Sequence, residues 1–309
     1  MSSHYKIIRR RQDVGMRISA LYRQQQLSIG ILDMGTSEEL INTIDWYLAN
    51  MNCLLHVMTT DEMFEKSELE LKYPDVTFIC FDSFVSLGAN INVFATECYA
   101  TYFLIVRSDV EIIASNGSEL MNSLAEHNHP AVITPYMLNA DGELLPTLRA
   151  PYLRGKLLDP ISFFPNSEKP IAQDNLYPLL GLGIYDRALF QRLRGFDEAI
   201  SGEFYQVMDF GIRCFLFGYR IYTISDLALR FPKRHSIVED RSNCTGMERC
   251  YTKALSVIRI AGKNVTQKWK PYVDKELLKT EVKEKQIKLQ KQDFFALMKS
   301  WPMPDTENE

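Results

Sequence analysis

The chain has 309 residues, of which 46% are hydrophobic and 24% are charged, and its net charge is −4. This length accommodates one large α/β domain or two smaller ones, and the composition is that of an ordered globular protein. The slight negative charge argues against nucleic acid as a partner, because domains that bind it are as a rule strongly basic.

Targeting signals are not expected. The basic residues Lys6 and 9–11 are not followed by an apolar stretch, so they do not make a secretory signal. No run approaches the roughly 18 apolar residues that a membrane span needs. Six scattered cysteines without a Cys-x-x-Cys pair favour free thiols in a reducing compartment. We therefore expect a cytoplasmic protein without a transmembrane span.

The first β-α unit follows a polar and basic arm that occupies residues 1–26. Apolar and small residues alternate over Leu27–Leu32 and run into Asp33, which predicts a buried strand that ends in a turn. Thr36 and Glu39 then form a capping-box pattern. Apolar residues at helical spacing follow, so the pattern predicts a helix there.

Further apolar runs, separated by polar or helical stretches, indicate a mainly parallel sheet with helices on both faces. Ligands of such sheets bind at the carboxyl ends of the strands, which directs attention to Asp33, to the turn Thr59-Thr60-Asp61 and to Arg107-Ser108-Asp109. The predicted strands are Leu54–Met58, Val76–Phe81, Tyr102–Val106 and Ala131–Thr134.

Residues 140–178 are rich in proline and predict irregular structure, in the form of a flap over the site. Asp186 caps a predicted helix, and a second helix over Phe204–Phe217 ends at Gly218. A long amphipathic helix is expected over 274–300, packed on the domain or on a second subunit as a homo-oligomer contact. The predicted division is an arm (1–26), a nucleotide-sugar domain (27–235), a helical extension (236–300) and a disordered tail (301–309).

Two segments carry a resemblance to a known family. Residues 181–190 read Gly-Leu-Gly-Ile-Tyr-Asp-Arg-Ala-Leu-Phe and lead to Gly-Phe-Asp-Glu at 195–198. Residues 208–213 read Met-Asp-Phe-Gly-Ile-Arg and lead to Gly-Tyr-Arg-Ile at 218–221. In this order and spacing, the segments resemble the family 2 glycosyltransferases. The resemblance covers roughly residues 27–232 and implies a Rossmann-like α/β domain of the GT-A type.

The resemblance also implies a metal site that neutralises the leaving diphosphate of a nucleotide-sugar donor. It places Asp109 at the strand-terminal, metal-binding aspartate, with Glu111 two residues later. The family's histidine falls nearest to His235, which Lys233 and Arg234 precede. Mg²⁺ or Mn²⁺ would be held by such carboxylates and by phosphate oxygens.

For the donor nucleotide, the candidate residues are Asp33, Asp61 and Arg187. The family's second-strand aspartate falls two residues before Asp61, where this chain has Thr59. Arg187 starts the helix that follows the Gly-rich strand.

The general base is altered in this chain. In the family it belongs to an acidic pair, and the matching positions hold Gln206 and Val207, neither of which can accept the acceptor's proton. Asp209 and Glu203 flank this gap and are the candidate replacements.

Three functions are open at this point. The first is a metal-dependent, inverting transferase that moves a sugar to a glycan or protein acceptor. The second is a catalytically inactive relative that serves as a binding or scaffold protein. The third, a dinucleotide enzyme, is weakly supported because Gly-x-Gly-x-x-Gly does not follow the first strand.

Overall fold

The computed structural model describes residues 4–10, 26–114, 124, 129–166 and 172–302. Most of the predicted arm and nearly all of the predicted tail lie outside these residues. The strands are β1 (Tyr5–Ile8), β2 (Leu27–Leu32), β3 (Leu54–Thr60), β4 (Thr77–Phe81), β5 (Tyr102–Arg107), β6 (Glu111–Ala114), β7 (Val132–Leu138), β8 (Leu148–Ala150), β9 (Leu153–Arg154), β10 (Leu157–Leu158), β11 (Ile161–Phe163), β12 (Gln173–Asp174), β13 (Gly183–Asp186), β14 (Ile221–Arg230), β15 (Val257–Ile260) and β16 (Lys263–Thr266).

The fold is built on one large β-sheet. Its order is β1-β4-β3-β2-β5-β13-β7-β14-β12, and β6 pairs with β14. Strands β2 to β5 are parallel, as are β7 and β14, whereas β13 runs antiparallel to both of its neighbours. The carboxyl ends of β2, β3, β4, β5, β7 and β14 therefore lie at one edge, which we call the carboxyl edge.

Helices follow the strands. The predicted capping box at the first of them is confirmed: Thr36 accepts from the backbone N–H of Glu39, whose carboxylate accepts from the backbone N–H of Thr36. The helices are α1 (Ser37–Asn50), α2 (Asp61–Lys66), α3 (Leu69–Lys72), α4 (Leu87–Glu97), α5 (Arg187–Arg192), α6 (Glu203–Leu216), α7 (Met247–Leu255), α8 (Lys275–Leu277), a π-helix (Leu278–Gln286), α9 (Ile287–Leu289) and α10 (Phe294–Ser300).

The Gly-Phe-Asp-Glu segment contributes to the core. Phe196 is 2% exposed, and its ring centroid lies 4.8 Å from that of Phe210 on α6. Tyr185 on β13 stacks on Phe103 of β5 at 5.0 Å. These aromatic contacts join the two segments that resemble the glycosyltransferases, so part of the resemblance reflects packing rather than chemistry.

Three parts of the chain differ from the sequence prediction. The proline-rich stretch 140–178, predicted to be irregular, carries the short strands β8 to β12, of which β8 pairs with β11 and β9 with β10. Residues 5–8, predicted to lie in an arm or short helix, form β1 and pair antiparallel with β4. The helix predicted over 274–300 is interrupted between α9 and α10. The carboxylate of Asp293 accepts from the backbone N–H groups of Ala296 and Arg259, so it caps a new helix instead of continuing the old one.

Several apolar side chains of the C-terminal region pack on this chain itself. Phe294 and Leu297 are buried in the main core, and the Trp301 ring lies 5.0 Å from Phe215. Val282 belongs to a smaller core beneath β15. The sequence predicts that this region packs either on the domain or on a second subunit, and the structure shows the packing on the domain.

All six cysteines are free thiols, as their scattered spacing predicts. Among the described residues, no helix combines the length and apolar character that crossing a bilayer requires.

Candidate active site at the carboxyl edge

Three neighbouring strands are tied together where they end. The backbone N–H of Asp33 donates to Met58 O, and that of Ser108 donates to Leu32 O. The Ser108 hydroxyl also accepts from the backbone N–H of Met34 at 2.9 Å. Because Leu32 is in register with Arg107, Asp33 and Asp109 leave the sheet side by side.

Asp33 has one engaged and one free oxygen. Its Oδ2 accepts from the Thr59 hydroxyl at 2.6 Å, whereas Oδ1 is buried and makes no hydrogen bond within the described residues. Burial raises the pKa of Asp33, and hydrogen bonds from the Thr59 hydroxyl and from the backbone N–H of Gly35 oppose the rise. A small cavity of about 50 Å³ adjoins the pair, between the ends of β2, β3 and β4. A buried acceptor without a donor requires an explanation such as a ligand.

Thr59 stands where the resembled family has an aspartate, and its hydroxyl donates a hydrogen bond to Asp33. Asp61 comes two residues later in the first turn of α2 and forms an ion pair with Lys6 of β1 at 3.0 Å. The structure therefore does not bring Asp61 together with Asp33. Lys6 lies on β1, which was not predicted from the sequence.

Asp109 is held by two arginines. Arg107 Nε donates to Asp109 Oδ1 at 2.8 Å, and Arg107 Nη2 donates to Oδ2 at 3.0 Å. Arg234, just after β14, donates from Nη2 to Oδ2 at 2.5 Å. Both carboxylate oxygens are therefore engaged by guanidinium groups in charge-assisted hydrogen bonds.

The other two predicted metal ligands are engaged elsewhere. Glu111 on β6 pairs with Arg230 of β14 at 2.6 Å. The His235 ring meets Asp141 at 2.8 Å and is 76% exposed. No cluster of three or more His, Cys, Asp or Glu side chains suited to a metal occurs in the described part of the chain. As arranged, Asp109, Glu111 and His235 do not fit a divalent cation.

Glu203, at the start of α6, lies within electrostatic range of Arg107 and Arg234. Its side chain is half-buried and makes no hydrogen bond or ion pair with a described residue. Burial raises the pKa of Glu203, while the guanidinium groups of Arg107 and Arg234 lower it. It lines a cavity of about 110 Å³ together with Leu180, a non-glycine residue at φ +56°. Such left-handed residues concentrate at functional sites.

Gln206 and Val207, at the family's base positions, are buried. Gln206 Oε1 accepts from the backbone N–H of Gly88 at 2.8 Å, and its amide donates to Asp197 O at 3.2 Å. The side chain therefore joins α4 to the turn before α6, and it has no access to a substrate.

Restoring a carboxylate here is expected to harm the fold. In Gln206→Glu the amide donor is lost and a charge enters a fully buried position, so the free energy of unfolding falls by about 2–3 kcal/mol. Urea denaturation measures this, with Gln191→Glu on the exposed side of α5 as the control. Unchanged stability combined with a gain of transferase activity would contradict the structural role.

Asp209 lies in a buried ionic cluster. It is 1% exposed, accepts from Arg213 Nε at 2.8 Å and lies 3.4 Å from Lys253 Nζ. Lys253 on α7 also pairs with Asp197, which Arg249 contacts at 3.0 Å. Burial raises the pKa of Asp197, but the charges of Lys253 and Arg249 outweigh it and lower the pKa to about 2. The structure does not bring Asp209 together with Glu203.

Arg187 lies at the opposite edge of the sheet. Its backbone N–H donates to Thr101 O and its Nε donates to Ala100 O, both just before the start of β5. Asp109 follows the other end of β5. Since that strand has six residues, about 20 Å of sheet separates Arg187 from Asp109.

Arg107 belongs to the strand end that the sequence singles out, but a role was predicted only for Asp109. Arg107 falls within an apolar strand, and its distance of two residues from Asp109 is the only local signal, because residues i and i+2 share a face. Arg234 was noted beside His235, but its contact with Asp109 depends on the pairing of distant strands.

Comparison with known proteins gives matches in structure only. No protein-family model and no curated protein matches the sequence. The structure of GalNAc-T7 with UDP, GalNAc and Mn²⁺ superposes with a TM-score of 0.62 over 90% of this chain and 56% of its own, at 11% identity. S. aureus TarS is similar over 74% of this chain and 38% of its own, at 18% identity and a TM-score of 0.49.

This chain therefore spans somewhat more than half the length of GalNAc-T7. At this identity the likeness concerns the fold, and it agrees with the mainly parallel sheet and its flanking helices. The GT-A class expected from the two sequence segments is confirmed. The chain is a divergent protein with the GT-A glycosyltransferase fold.

Proposed function

We propose that this chain transfers a sugar from a nucleotide-diphosphate donor to a hydroxyl group of a glycan or protein acceptor. The fold supports this, since a structural neighbour, GalNAc-T7, was solved with UDP and GalNAc. The observation that carries the proposal is at the carboxyl edge: Glu203, a half-buried carboxylate with a raised pKa, is under the influence of the two arginines that hold Asp109. Perturbed carboxylates in clefts are candidates for acid–base chemistry.

The donor nucleotide is proposed to bind beside Asp33. The free Oδ1 of this side chain is a buried acceptor, and a ribose hydroxyl or a base N–H would supply the missing donor. The adjoining cavity of about 50 Å³, between the ends of β2, β3 and β4, has room for the donating group of the nucleotide, and the rest of the nucleotide would lie outside it.

In the proposed reaction, Glu203 is the general base. The bond between the anomeric carbon and the diphosphate oxygen breaks, and its electron pair leaves with the diphosphate. The acceptor oxygen forms the new bond to the anomeric carbon, and its proton passes to the Glu203 carboxylate. A carboxyl group whose pKa is raised toward the working pH is suited to this role.

Calorimetry with UDP, GDP, CDP and dTDP, followed by a transfer assay with the matching sugar donors, tests the proposal. Saturable binding of at least one nucleotide is expected. If none binds, a nucleotide-sugar function is excluded.

Asp33→Asn is expected to weaken nucleotide binding by about tenfold or more, because a hydrogen bond to a charged acceptor contributes roughly 1.5–3 kcal/mol. The measurement is the Kd of the bound nucleotide. Asp82→Asn is the matched control, since Asp82 follows β4 at the same edge but is exposed. Equal affinities of the Asp33 variant and the unmodified chain would remove Asp33 from the site.

The second candidate is a scaffold that binds nucleotide without catalysis. The burial of Gln206 in a structural role favours it, since the family's base position contributes nothing here. Donor hydrolysis and transfer assays separate the two functions. Binding without either activity, in the presence of varied acceptors, supports the scaffold.

The cellular setting is part of the same proposal. Six free thiols suit a reducing compartment, and we place the protein in the cytoplasm on that basis. A homo-oligomer through the C-terminal region would have to use its exposed surface, for example around Leu289, which is 60% exposed.

A further inference from the structure

We infer that Arg107 and Arg234 occupy the position of the divalent cation, so that this chain binds the donor diphosphate without a metal. This inference rests on the proposed function. Its starting point is the disagreement at Asp109, where the expected metal-binding carboxylate is bound on both oxygens by guanidinium groups.

A divalent cation at Asp109 would lie beside two permanent positive charges. Arginine does not lose its proton in proteins, so the repulsion persists at every accessible pH. The cation would also have to break the hydrogen bonds of both guanidinium groups to the carboxylate. Glu111 and His235 cannot compensate, since each is already paired with another side chain.

Arg234 still has donors to offer. Arg234 is 41% exposed and uses one N–H on Asp109, which leaves the rest of its planar fork free. The Phe231 ring, 5.3 Å from its guanidinium carbon, restricts its orientation. Arg107 is 5% exposed, and its Nε and Nη2 already donate to Asp109, so it contributes its positive charge from within the sheet. Planar guanidinium groups match phosphate oxygens in a bidentate manner.

Lys233 extends this cationic surface toward α1. It is 71% exposed and donates to Glu39 at 2.6 Å. Arg107, Lys233 and Arg234 thus converge from the ends of β5 and β14. We expect the diphosphate to share these cations with Asp109 and Glu39, and its negative charge to be balanced by them as the sugar leaves.

The experiment is calorimetry of the full chain with UDP, GDP, CDP and dTDP, once in EDTA and once in Mn²⁺. For a nucleotide that binds, the Kd in EDTA is expected to lie within about twofold of the Kd in Mn²⁺. Binding that requires Mn²⁺ overturns the inference but leaves the proposed function standing. Binding of no nucleotide in either buffer overturns both.

Two variants of the chain sharpen the test. Arg234→Ala is expected to weaken binding in EDTA by about tenfold or more, as the loss of a charge-assisted contact implies. Arg220→Ala is the matched control. Arg220 is 51% exposed, pairs with Asp174 and lies over the Phe215 ring at 5.7 Å, but it precedes β14 instead of following it. Equal losses in both variants overturn the inference.

Asp109→Asn is expected to change the nucleotide affinity in opposite directions for an arginine site and for a metal site. If Asp109 competes with the diphosphate for the arginines, the affinity in EDTA is expected to rise by about threefold. If Asp109 is a metal ligand, the affinity in Mn²⁺ falls instead. A fall in the Asn variant therefore overturns the inference, and thermal unfolding shows that each variant is folded.

Discussion

Glu203→Gln is expected to lower the turnover number for sugar transfer by about 10²–10⁴-fold, because the amide cannot accept the acceptor's proton. This corresponds to roughly 3–5.5 kcal/mol of barrier. The Kd of the donor nucleotide should change little, because Glu203 contacts the acceptor in the proposed reaction. Steady-state kinetics and calorimetry on the same preparation separate the two effects.

Glu248→Gln is the matched control, since Glu248 is an exposed glutamate in the first turn of α7. Glu203 occupies the first turn of α6, so both substitutions remove one carboxylate from the start of a helix. A Glu203 variant that retains full turnover would exclude this residue as the base.

The pH dependence of turnover follows from the environment of Glu203. A general base works in its deprotonated form, so activity falls as the pH drops through the pKa of the base. Burial raises that pKa, against the effect of Arg107 and Arg234. The acidic limb of the profile is therefore expected above the ordinary glutamate pKa of about 4.3.

Asp209→Asn is expected to cost about 3–5 kcal/mol of folding free energy, the largest effect on stability predicted for this chain. Asp209 is 1% exposed, and its removal leaves Arg213 and Lys253 buried with less compensation. Breaking a buried ion pair by removing one partner carries a cost of this size. Urea denaturation at constant pH measures the change.

The control is the exposed pair of Glu111 and Arg230, in which the two side chains are 50% and 41% exposed. Glu111→Gln is expected to cost at most about 1 kcal/mol, because water screens such pairs. If both variants lose the same small amount of stability, the buried cluster is not a major source of stability in this chain.

Much of the fold could be predicted from local patterns. The strand at Leu27–Leu32 and the capping box at Thr36 depend on residues within a few positions of one another, and both were found. The interruption before α10 was missed because Asp293 looks like any polar residue of a charged helix. Its capping role depends on contacts that include Arg259, which is distant in sequence.

The candidate site was harder to predict for the same reason. Asp33 and Asp109 were recognised because each follows an apolar strand. The partners that decide their chemistry, Thr59 and Arg234, are 26 and 125 residues away along the chain. A motif shows which residues of the chain resemble a family. Which charged side chains contact one another depends on how distant strands pair.

Strand β1 has a consequence for the solution behaviour of the protein. It covers β4, whose five residues are all buried. Without residues 5–8, the main-chain N–H and C=O groups along one side of this apolar strand would be open to a strand from another molecule. The short N-terminal segment thus protects the sheet from edge-to-edge aggregation, and shortening it is expected to reduce solubility before it affects the site.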